Sequence, residues 1–272
     1  DMPSLPLLLL VEPDALEHQP GQESILLVDL CKPETYTQAH IPGAVHLDYA
    51  QIVAMNRPAM GLLPDESQLN EVFSSIGLKP EHHVVAYDDE GGGRASRLLW
   101  TLEAMGHTRF SLLNGGLHAW TLERRPLQGG TETRARSQYR VQRREAVIAD
   151  KAYILKHLGD TAVVFLDTRT VDEYLGSKRF AERGGHIPGA VNLDWMQTMD
   201  RNRGLRFKPA EELRAMLASL GVTPDKEVVC YCQSHHRSAH SCMMLKSLGY
   251  PRVRGYPGSW SEWGNSPDTP IE

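Results

Sequence analysis

Apolar and polar positions divide the chain into short strand-like runs and longer helix-like stretches. Four runs are mainly apolar and rich in Val and Leu, which is typical of strands buried on both faces of a sheet. These runs cover residues 25–29, 84–87, 162–167 and 227–231. Two other stretches, 65–76 and 210–220, carry apolar side chains at helical spacing and end before Gly77 and Gly221. The alternation predicts an α/β fold in which helices cover both faces of a mostly parallel sheet.

The pattern occurs twice, because the chain contains an internal repeat with an offset of about 145 residues. The sequence His-Ile-Pro-Gly-Ala-Val stands at 40–45 and again at 186–191. Three further pairs of segments follow in the same order: 28–30 with 166–168, 84–88 with 228–232, and 115–120 with 258–263. We therefore expect two domains of one fold, at 1–125 and 142–272, joined by a polar linker at 126–141.

Composition and charge argue against several classes of protein. The 272 residues are 41% hydrophobic and carry a net charge of −5, whereas proteins that bind nucleic acids or membrane surfaces have a basic excess. The longest apolar stretch, 5–11, is much too short to span a bilayer. Four cysteines are too few for a disulfide scaffold. We expect a cytoplasmic monomer with reduced thiols and with neither nucleic acid nor membrane among its partners.

The two copies differ in the chemistry of one loop. After the matched strand the first copy reads Asp-Asp-Glu-Gly-Gly-Gly-Arg at 88–94, and the second reads Cys-Gln-Ser-His-His-Arg-Ser at 232–238. A predicted helix follows in each copy, at 95–105 and at 239–248. The first loop is acidic, whereas the region 225–256 holds five Lys and Arg against two acids. The copies therefore share a fold element and differ in its charge.

Cys232 is the candidate nucleophile. It stands where the strand ends and the helix begins, so loop N–H groups and the helix N-terminus should surround its thiol. A thiol in such an anion-binding loop, beside Arg237 and two imidazoles, is expected to have a lowered pKa and to be largely thiolate at neutral pH. A purely structural role is the alternative. Cys230, inside the strand, fits that structural role, as do Cys31 and Cys242.

The histidines near this loop allow a second interpretation, a metal site. His235, His236 and His240 could bind a metal with Cys232 as a fourth ligand. Zinc sites usually join two separated ligand clusters, and the sequence has no second cluster, so we predict no metal. We expect His240 on the helix surface, and His235 and His236 as hydrogen-bond donors that add positive character to the loop.

Together these motifs resemble the rhodanese family of tandem-domain sulfurtransferases over essentially the whole chain. The resemblance rests on Asp29 and Asp167 after their strands, on the paired His-Ile-Pro-Gly-Ala segments and on the single cysteine-headed loop. It also rests on two further motifs, Leu113-Asn114-Gly115-Gly116 with Trp120 and Gly258-Ser259-Trp260 with Glu262-Trp263. The first copy is usually inert in this family, in agreement with Asp88 at the position of Cys232.

The resemblance implies sulfur transfer by double displacement, without a cofactor. The Cys232 thiolate would attack the outer sulfur of thiosulfate and sulfite would leave; cyanide or a thiol acceptor would then take the terminal sulfur of the persulfide. Arg237 would steer the donor, and loop N–H groups would hold the anionic persulfide. The residues expected to bind substrate are Gln233, Ser234, His235, His236, Arg237 and Ser238.

The loop departs from the usual patterns of the family. Thiosulfate-preferring members typically carry Arg and Lys where this chain has Gln233 and Ser234. Glu173 stands where members often have a substrate-binding arginine, which disfavours mercaptopyruvate because its carboxylate needs a clamp. Thiosulfate remains favoured on electrostatic grounds. The two loop histidines suggest that donor binding weakens as they deprotonate.

Two other functions are consistent with a reactive cysteine loop. Phosphatases of related fold have five residues between the cysteine and the arginine, whereas this chain has four, 233–236, so its loop is small for phosphate. A persulfide carrier or redox module that delivers sulfur to a partner protein would use Cys232 in the same way. Such a carrier would differ from the enzyme only in its acceptor.

Overall fold

The apolar runs form two parallel sheets in the structure, a computed structural model that describes residues 7–19 and 22–272. The chain divides into two units. The first contains the described residues up to Ile52, together with Pro64–Arg143 and Asp200–Phe207; the second contains Val53–Leu63, Arg144–Met199 and Lys208–Glu272. Each unit therefore includes a short segment from the other half of the sequence.

The strands of the described residues are short, and most of those in the two parallel sheets are buried. In chain order they are β1 (Leu10–Val11), β2 (Ile25–Asp29), β3 (Val45–His46), β4 (Ala54–Asn56), β5 (Ala59–Leu62), β6 (His83–Tyr87), β7 (Phe110–Leu113), β8 (Val163–Asp167), β9 (Val191–Asn192), β10 (Met199–Asp200), β11 (Arg206–Phe207), β12 (Glu227–Tyr231) and β13 (Val253–Gly255). The four predicted runs correspond to β2, β6, β8 and β12.

The helices alternate with these strands, as the pattern predicts. They are α1 (Pro13–Glu17), α2 (Pro33–Gln38), α3 (Glu66–Ser75), α4 (Gly93–Ala104), α5 (Gly116–Leu122), α6 (Lys151–His157), α7 (Val171–Leu175), α8 (Ala210–Ser219), α9 (Arg237–Ser247) and α10 (Ser259–Trp263). Within the described residues, no helix has the length and apolar character needed to cross a membrane.

The sheet of the first unit has the order β1-β7-β6-β2-β3, and its neighbouring strands are parallel. Side chains alternate across it, because successive residues of a strand point to opposite faces. Ile25 and Leu27 belong to a cluster with Trp120 of α5 on one face, whereas Leu26 and Val28 are buried on the other. Helix α4 packs against β6 and β7. Helices therefore cover both faces of this sheet, as predicted.

The sheet of the second unit has the order β13-β12-β8-β9 and is also parallel. Strand β12 pairs with β8 along its whole length. Val229 and Tyr231 pack with Trp260 and Trp263 of α10, while α9 packs against β12 and β13. A strand with a neighbour on each side and a helix on each face is firmly held, so β12 fixes the position of the residue that follows it.

Helix α3 begins and ends close to the predicted positions for identifiable reasons. The side chain of Asp65 accepts a hydrogen bond from the N–H of Gln68, which caps the first turn. Gly77 has a φ of +78°, the left-handed conformation in which helices commonly end. The helix predicted at 65–76 is therefore confirmed to within one residue at each end.

The helix after each of the two contrasting loops begins two residues earlier than predicted. Helix α4 starts at Gly93 and α9 at Arg237, whereas the sequence predicted starts at residues 95 and 239. Arg237 and Ser238 therefore belong to the first turn of α9. The N–H groups of a first turn have no partner within the helix, so they are available to an anion in the preceding loop.

Residues of the predicted linker at 126–141 pack against the rest of the first unit. The side chain of Tyr139 is 7% exposed, and its ring meets that of Phe73 edge-on at 5.9 Å between centroids. Its hydroxyl lies 2.9 Å from Nδ1 of His107, and its N–H donates to Oγ of Ser74 over 2.9 Å. Tyr139 is therefore a buried aromatic residue within a segment whose polar composition predicts a linker.

Replacing Tyr139 tests that anchor. Tyr139→Ala is expected to lower the free energy of unfolding by about 3–5 kcal/mol, because it leaves a cavity beside Phe73. Tyr139→Phe should cost about 1 kcal/mol through loss of the hydrogen bond to His107. Urea denaturation followed by circular dichroism measures both changes, with Gln138→Ala at the exposed neighbouring position as the control. Equal stability of Tyr139→Ala and the control would show that the segment contributes nothing.

Candidate active site

The loop at 232–236 joins the central strand β12 of the second unit to α9. Its first residue, Cys232, directly follows the strand, which is buried from Val228 to Tyr231. In parallel sheets, ligands bind beyond the carboxyl ends of the strands, where helix N-termini converge. Cys232 therefore occupies the strand-to-helix turn at which the sequence places it.

The sulfur of Cys232 accepts hydrogen bonds from its own loop and helix. The side chain is 0% exposed, and Sγ receives the N–H of His235 over 3.2 Å and the hydroxyl of Ser238 over 3.3 Å. Burial raises the pKa of this thiol, but the positive charge of Arg237 and hydrogen bonds from Ser238 and from the backbone of Ser234 outweigh burial. The net shift is downward, so the site favours a thiolate.

Cys31 of the first unit shows the opposite effect. Burial and the neighbouring charge of Asp29 both raise the pKa of its thiol, so it stays protonated. Cys230 and Cys242 are buried as well, and all four cysteines are free thiols. Burial alone therefore does not produce a thiolate in this protein, and the partners of Cys232 make the difference.

A left-handed turn at His235 aims its N–H group at the sulfur. Its φ is +59°, a conformation that few residues other than glycine adopt. The ring is fully buried, and its Nδ1 lies 2.5 Å from Oγ of Ser238 in the first turn of α9. Packing and this contact hold the side chain, so the surrounding structure maintains a backbone conformation that is unfavourable in isolation.

The first residues of α10 hold the loop through hydrogen bonds. The N–H of Trp260 donates to the carbonyl of Cys232 over 2.9 Å, and that of Ser261 donates to the carbonyl of Gln233 over 3.0 Å. The N–H of Cys232 donates in turn to Oγ of Ser259 over 3.2 Å. These contacts place the motif Gly258-Ser259-Trp260 of the second copy beside the cysteine loop, a role that the sequence did not reveal.

The hairpin of β4 and β5, which belongs to the second unit, also contacts the loop. A side chain at Gly61 would bring its Cβ within 1.9 Å of the carbonyl oxygen of Ser234, so only glycine fits there. The N–H of Met60 donates to Oγ of Ser261 over 3.0 Å. Nothing in the sequence links residue 61 with residue 234, and the sequence analysis did not identify this support.

Arg237 forms a two-point ion pair with Glu173 of α7. Nη1 lies 2.9 Å from Oε1 and Nη2 lies 3.2 Å from Oε2, and the Glu173 side chain is 4% exposed. Burial raises the pKa of Glu173, but Arg237 and Thr170 lower it more, so the carboxylate is charged. The guanidinium that the sequence assigned to the donor is therefore already engaged by a carboxylate.

His240 does not lie on the helix surface, so that expectation was wrong. Its side chain is buried, and its ring meets Trp195 edge-on at 5.2 Å. Burial lowers the pKa of His240 to about 3, which keeps the ring neutral. His236, the residue before α9, contacts the same Trp195 ring at 6.2 Å. In the described part of the chain, no group of three or more His, Cys, Asp and Glu residues is arranged to hold a metal ion.

Gln233 contacts a segment that only the second copy contains. Its Nε2 donates to the carbonyl of Phe180 over 3.3 Å. Phe180 lies in the insertion at 176–185 and is 59% exposed. The structure therefore brings together all the residues from 232 to 238 that the sequence selected, and adds Glu173, Phe180 and Gly61 around them.

The corresponding loop of the first unit shows what this turn binds. Asp88 follows β6 as Cys232 follows β12, and its carboxylate is buried. It accepts hydrogen bonds from the N–H groups of Glu90, Gly92 and Ala95, over 2.9, 2.8 and 2.9 Å. The turn of the first copy is thus filled by a hydrogen-bond acceptor that the chain itself supplies. Burial raises the pKa of the Asp88 carboxyl more than these three N–H groups lower it.

Comparison with known proteins identifies the family of the chain. A family model described as the rhodanese-like domain matches residues 12–123 and 150–266. A thiosulfate sulfurtransferase of Azotobacter vinelandii is 44% identical over 272 residues, 100% of this chain and 99% of that protein. A thiosulfate sulfurtransferase of Pseudomonas aeruginosa is 41% identical, over 97% of each chain. The sulfur carrier protein TtuD of Thermus thermophilus is 36% identical over 87% of this chain and 86% of its own.

Solved structures agree on the fold. The crystal structure of YnjE superposes with a TM-score of 0.87 at 19% identity, covering 97% of this chain and 68% of that one. The anaerobic ergothioneine biosynthesis enzyme of Chlorobium limicola gives a TM-score of 0.86 at 20% identity, covering 97% of this chain and 70% of that one. At such identities the likeness concerns the fold alone. The family match and the full-length relatives show that the chain belongs to the rhodanese family and contains two rhodanese-like domains.

Proposed function

We propose that the protein is a thiosulfate:cyanide sulfurtransferase that carries sulfane sulfur as a persulfide on Cys232. The observation that carries this proposal is the buried sulfur of Cys232, which receives hydrogen bonds from His235 and Ser238 and has a lowered pKa. The relatives at 41% and 44% identity that are called thiosulfate sulfurtransferases support it. A thiolate nucleophile in an anion-binding loop suits an anionic sulfur donor.

In the first half-reaction, an electron pair on Sγ of Cys232 forms a bond with the outer sulfur of thiosulfate. The sulfur–sulfur bond of thiosulfate breaks, and its electron pair leaves with sulfite. A thiolate and a dianion thus become a persulfide anion and a dianion, so charge and atoms balance. In the second half-reaction, cyanide or a thiolate bonds to the outer sulfur, and the electron pair of the broken bond returns to Sγ.

The loop residues would stabilise the anions of both steps. The backbone N–H groups of Ser234, His235 and Ser238 are directed at the sulfur, and such preorganised donors stabilise an anion best where water is excluded. We propose that Gln233, Ser234, His235, His236, Arg237 and Ser238 bind the donor. Because Arg237 is paired with Glu173, its charge acts on the sulfur mainly through space.

A persulfide carrier that delivers sulfur to a partner protein is the second candidate. The relative at 36% identity is called a sulfur carrier protein, and carriage uses the same persulfide. The phosphatase alternative has less support, because the loop retains four residues between Cys232 and Arg237.

We also propose a cytoplasmic monomer whose partners are the small sulfur donor and its acceptor, without nucleic acid or membrane. The four free thiols favour a reducing compartment, and the net charge of −5 disfavours general binding to nucleic acid.

Intact mass spectrometry tests the persulfide. Incubation with thiosulfate is expected to add about 32 Da, one sulfur, through covalent catalysis at Cys232. Cyanide should remove that mass, and Cys232→Ser should never gain it. Cys242→Ser, which removes a second buried thiol, serves as the matched control and should gain the mass like the wild type. A wild-type protein that gains no sulfur, or a Cys232→Ser variant that still does, overturns the proposal.

Glu173→Gln tests the electrostatic balance at the loop. The amide keeps the shape and the capping interaction with Thr170, but leaves the charge of Arg237 uncompensated. We expect the KM for thiosulfate to fall by about 5- to 20-fold at low salt, on the order of 1–2 kcal/mol, since the donor is a dianion. The gain should shrink as salt screens the charge.

The control for this change is Glu227→Gln. Glu227 also pairs with an arginine, Arg254, over 2.6 Å, but lies at the opposite end of β12 from Cys232. The KM of the Glu227→Gln variant for thiosulfate should stay at the wild-type value. A KM for Glu173→Gln that equals or exceeds that of the control would show that Glu173 does not oppose donor binding.

A further inference from the structure

Three buried groups lie in a hydrogen-bonded row at the loop. Sγ of Cys232 is 3.3 Å from Oγ of Ser238, and that oxygen is 2.5 Å from Nδ1 of His235. All three side chains are 0% exposed. A row of this kind connects the reacting sulfur with a titratable ring that does not touch it directly.

The row can satisfy both protonation states of the sulfur. When the sulfur is an anion it accepts the hydroxyl proton of Ser238, so the serine oxygen must accept the N–H at Nδ1 of His235. When the sulfur is a thiol, every bond reverses: S–H donates to Oγ, and O–H donates to Nδ1. A serine hydroxyl has one proton and can donate in either direction. The two states therefore differ only in the position of one proton in each of the two hydrogen bonds.

We infer that Ser238 and His235 form a proton relay to Cys232, in which the thiolate arises together with an imidazolium on His235. The S–H bond breaks and its proton moves to Oγ of Ser238, while the hydroxyl proton moves to Nδ1 of His235. No proton or electron enters or leaves the protein. This inference rests on the proposed function, because it concerns how the nucleophile of that reaction is formed and restored.

Burial of the sulfur is the reason for a relay. The Cys232 sulfur is 0% exposed and lies within hydrogen-bond distance of the Ser238 hydroxyl, so the nearest group that can take its proton belongs to the protein. The left-handed turn at His235 lets one residue act twice: its N–H holds the sulfur over 3.2 Å, and its ring reaches the sulfur through Ser238. Ser238 touches the reacting atom, whereas the ring of His235 is a positioning group that acts through it.

The other titratable groups around the loop have different roles. Asp167 and Glu173 are engaged by Arg169 and Arg237, and burial keeps His240 neutral. The elements packed against the loop carry several such groups: Arg237 and His240 on α9, Glu173 on α7, Glu262 on α10, Asp194 and His236 in the flanking turns, Asp167 at the end of β8 and Arg169 after it. His235, in contrast to these groups, is connected with the sulfur by the hydrogen bonds through Ser238.

His235→Asn separates the proton-binding role from the structural one. Asparagine tolerates the left-handed conformation better than most residues, and its amide N–H can still donate to Ser238, but it cannot bind a proton. His157→Asn is the matched control, because it makes the same change in the second unit outside the loop. Ser238→Ala breaks the row and leaves the imidazole in place.

The test is nitrogen NMR of protein labelled with ¹⁵N-histidine, at a pH where the ultraviolet absorbance shows Cys232 as thiolate. We expect one ring with both nitrogens protonated, absent from His235→Asn and present in His157→Asn. That ring should become neutral when iodoacetamide caps the sulfur. Capping can be followed in the wild-type protein alone, so the test stands even if a variant fails to fold. A neutral His235 ring beside a Cys232 thiolate overturns the relay.

Thiol reactivity gives a second readout. The pH midpoint for alkylation of Cys232 should rise by about one unit or more in His235→Asn, since a neighbouring imidazolium lowers the pKa of a thiol. It should not move in His157→Asn. An unchanged midpoint in His235→Asn would contradict the inference.

Different experimental outcomes would overturn the relay and the proposed function. A wild-type protein that forms the persulfide while the His235 ring stays neutral is a sulfurtransferase without a relay. A protein that shows the imidazolium but never accepts sulfur from thiosulfate has the relay and lacks the proposed activity.

Discussion

The stabilisation of a negative charge on the Cys232 sulfur is the interaction on which the proposed chemistry of the second unit depends. A charge in a fully buried position is unfavourable unless hydrogen bonds and an opposite charge compensate it. Here the compensation comes from the N–H of His235, the hydroxyl of Ser238 and the nearby charge of Arg237. Cys31, buried beside a carboxylate, shows that the same thiol without this surrounding keeps its proton.

The two copies place different acceptors in the same turn. Both place a buried acceptor directly after a central parallel strand, where the N–H groups of a turn and a helix converge. In the first unit Asp88 brings a carboxyl group, which accepts the N–H groups of the turn and has no thiol to carry sulfur. In the second unit the acceptor is the thiol of Cys232, whose lowered pKa favours an anion and which we propose as the nucleophile. The two copies thus share the turn and differ in the residue that fills it and in the residues around that residue.

The sequence predicted most of what is local and little of what is distant. Strand β12 and the cysteine loop could be predicted because an apolar run and a helix start are visible within about ten residues of sequence. The internal repeat supports the same assignment, because it aligns the two loops. The pair of Glu173 with Arg237 and the approach of Gly61 to Ser234 join positions far apart in sequence, and no periodicity encodes them. His240 was misplaced because a helix buried on nearly every side shows no polar face by which to orient it.

The most direct test of this account is an ultraviolet titration of the Cys232 thiolate, with Cys232→Ser subtracted to isolate its signal. A lowered pKa means that the thiolate persists to lower pH and disappears only as the pH falls through the shifted value. We predict a midpoint clearly below about 8.5, the ordinary value for a cysteine thiol. A midpoint at or above that value would contradict the account, because the loop would then hold a thiol rather than an anion.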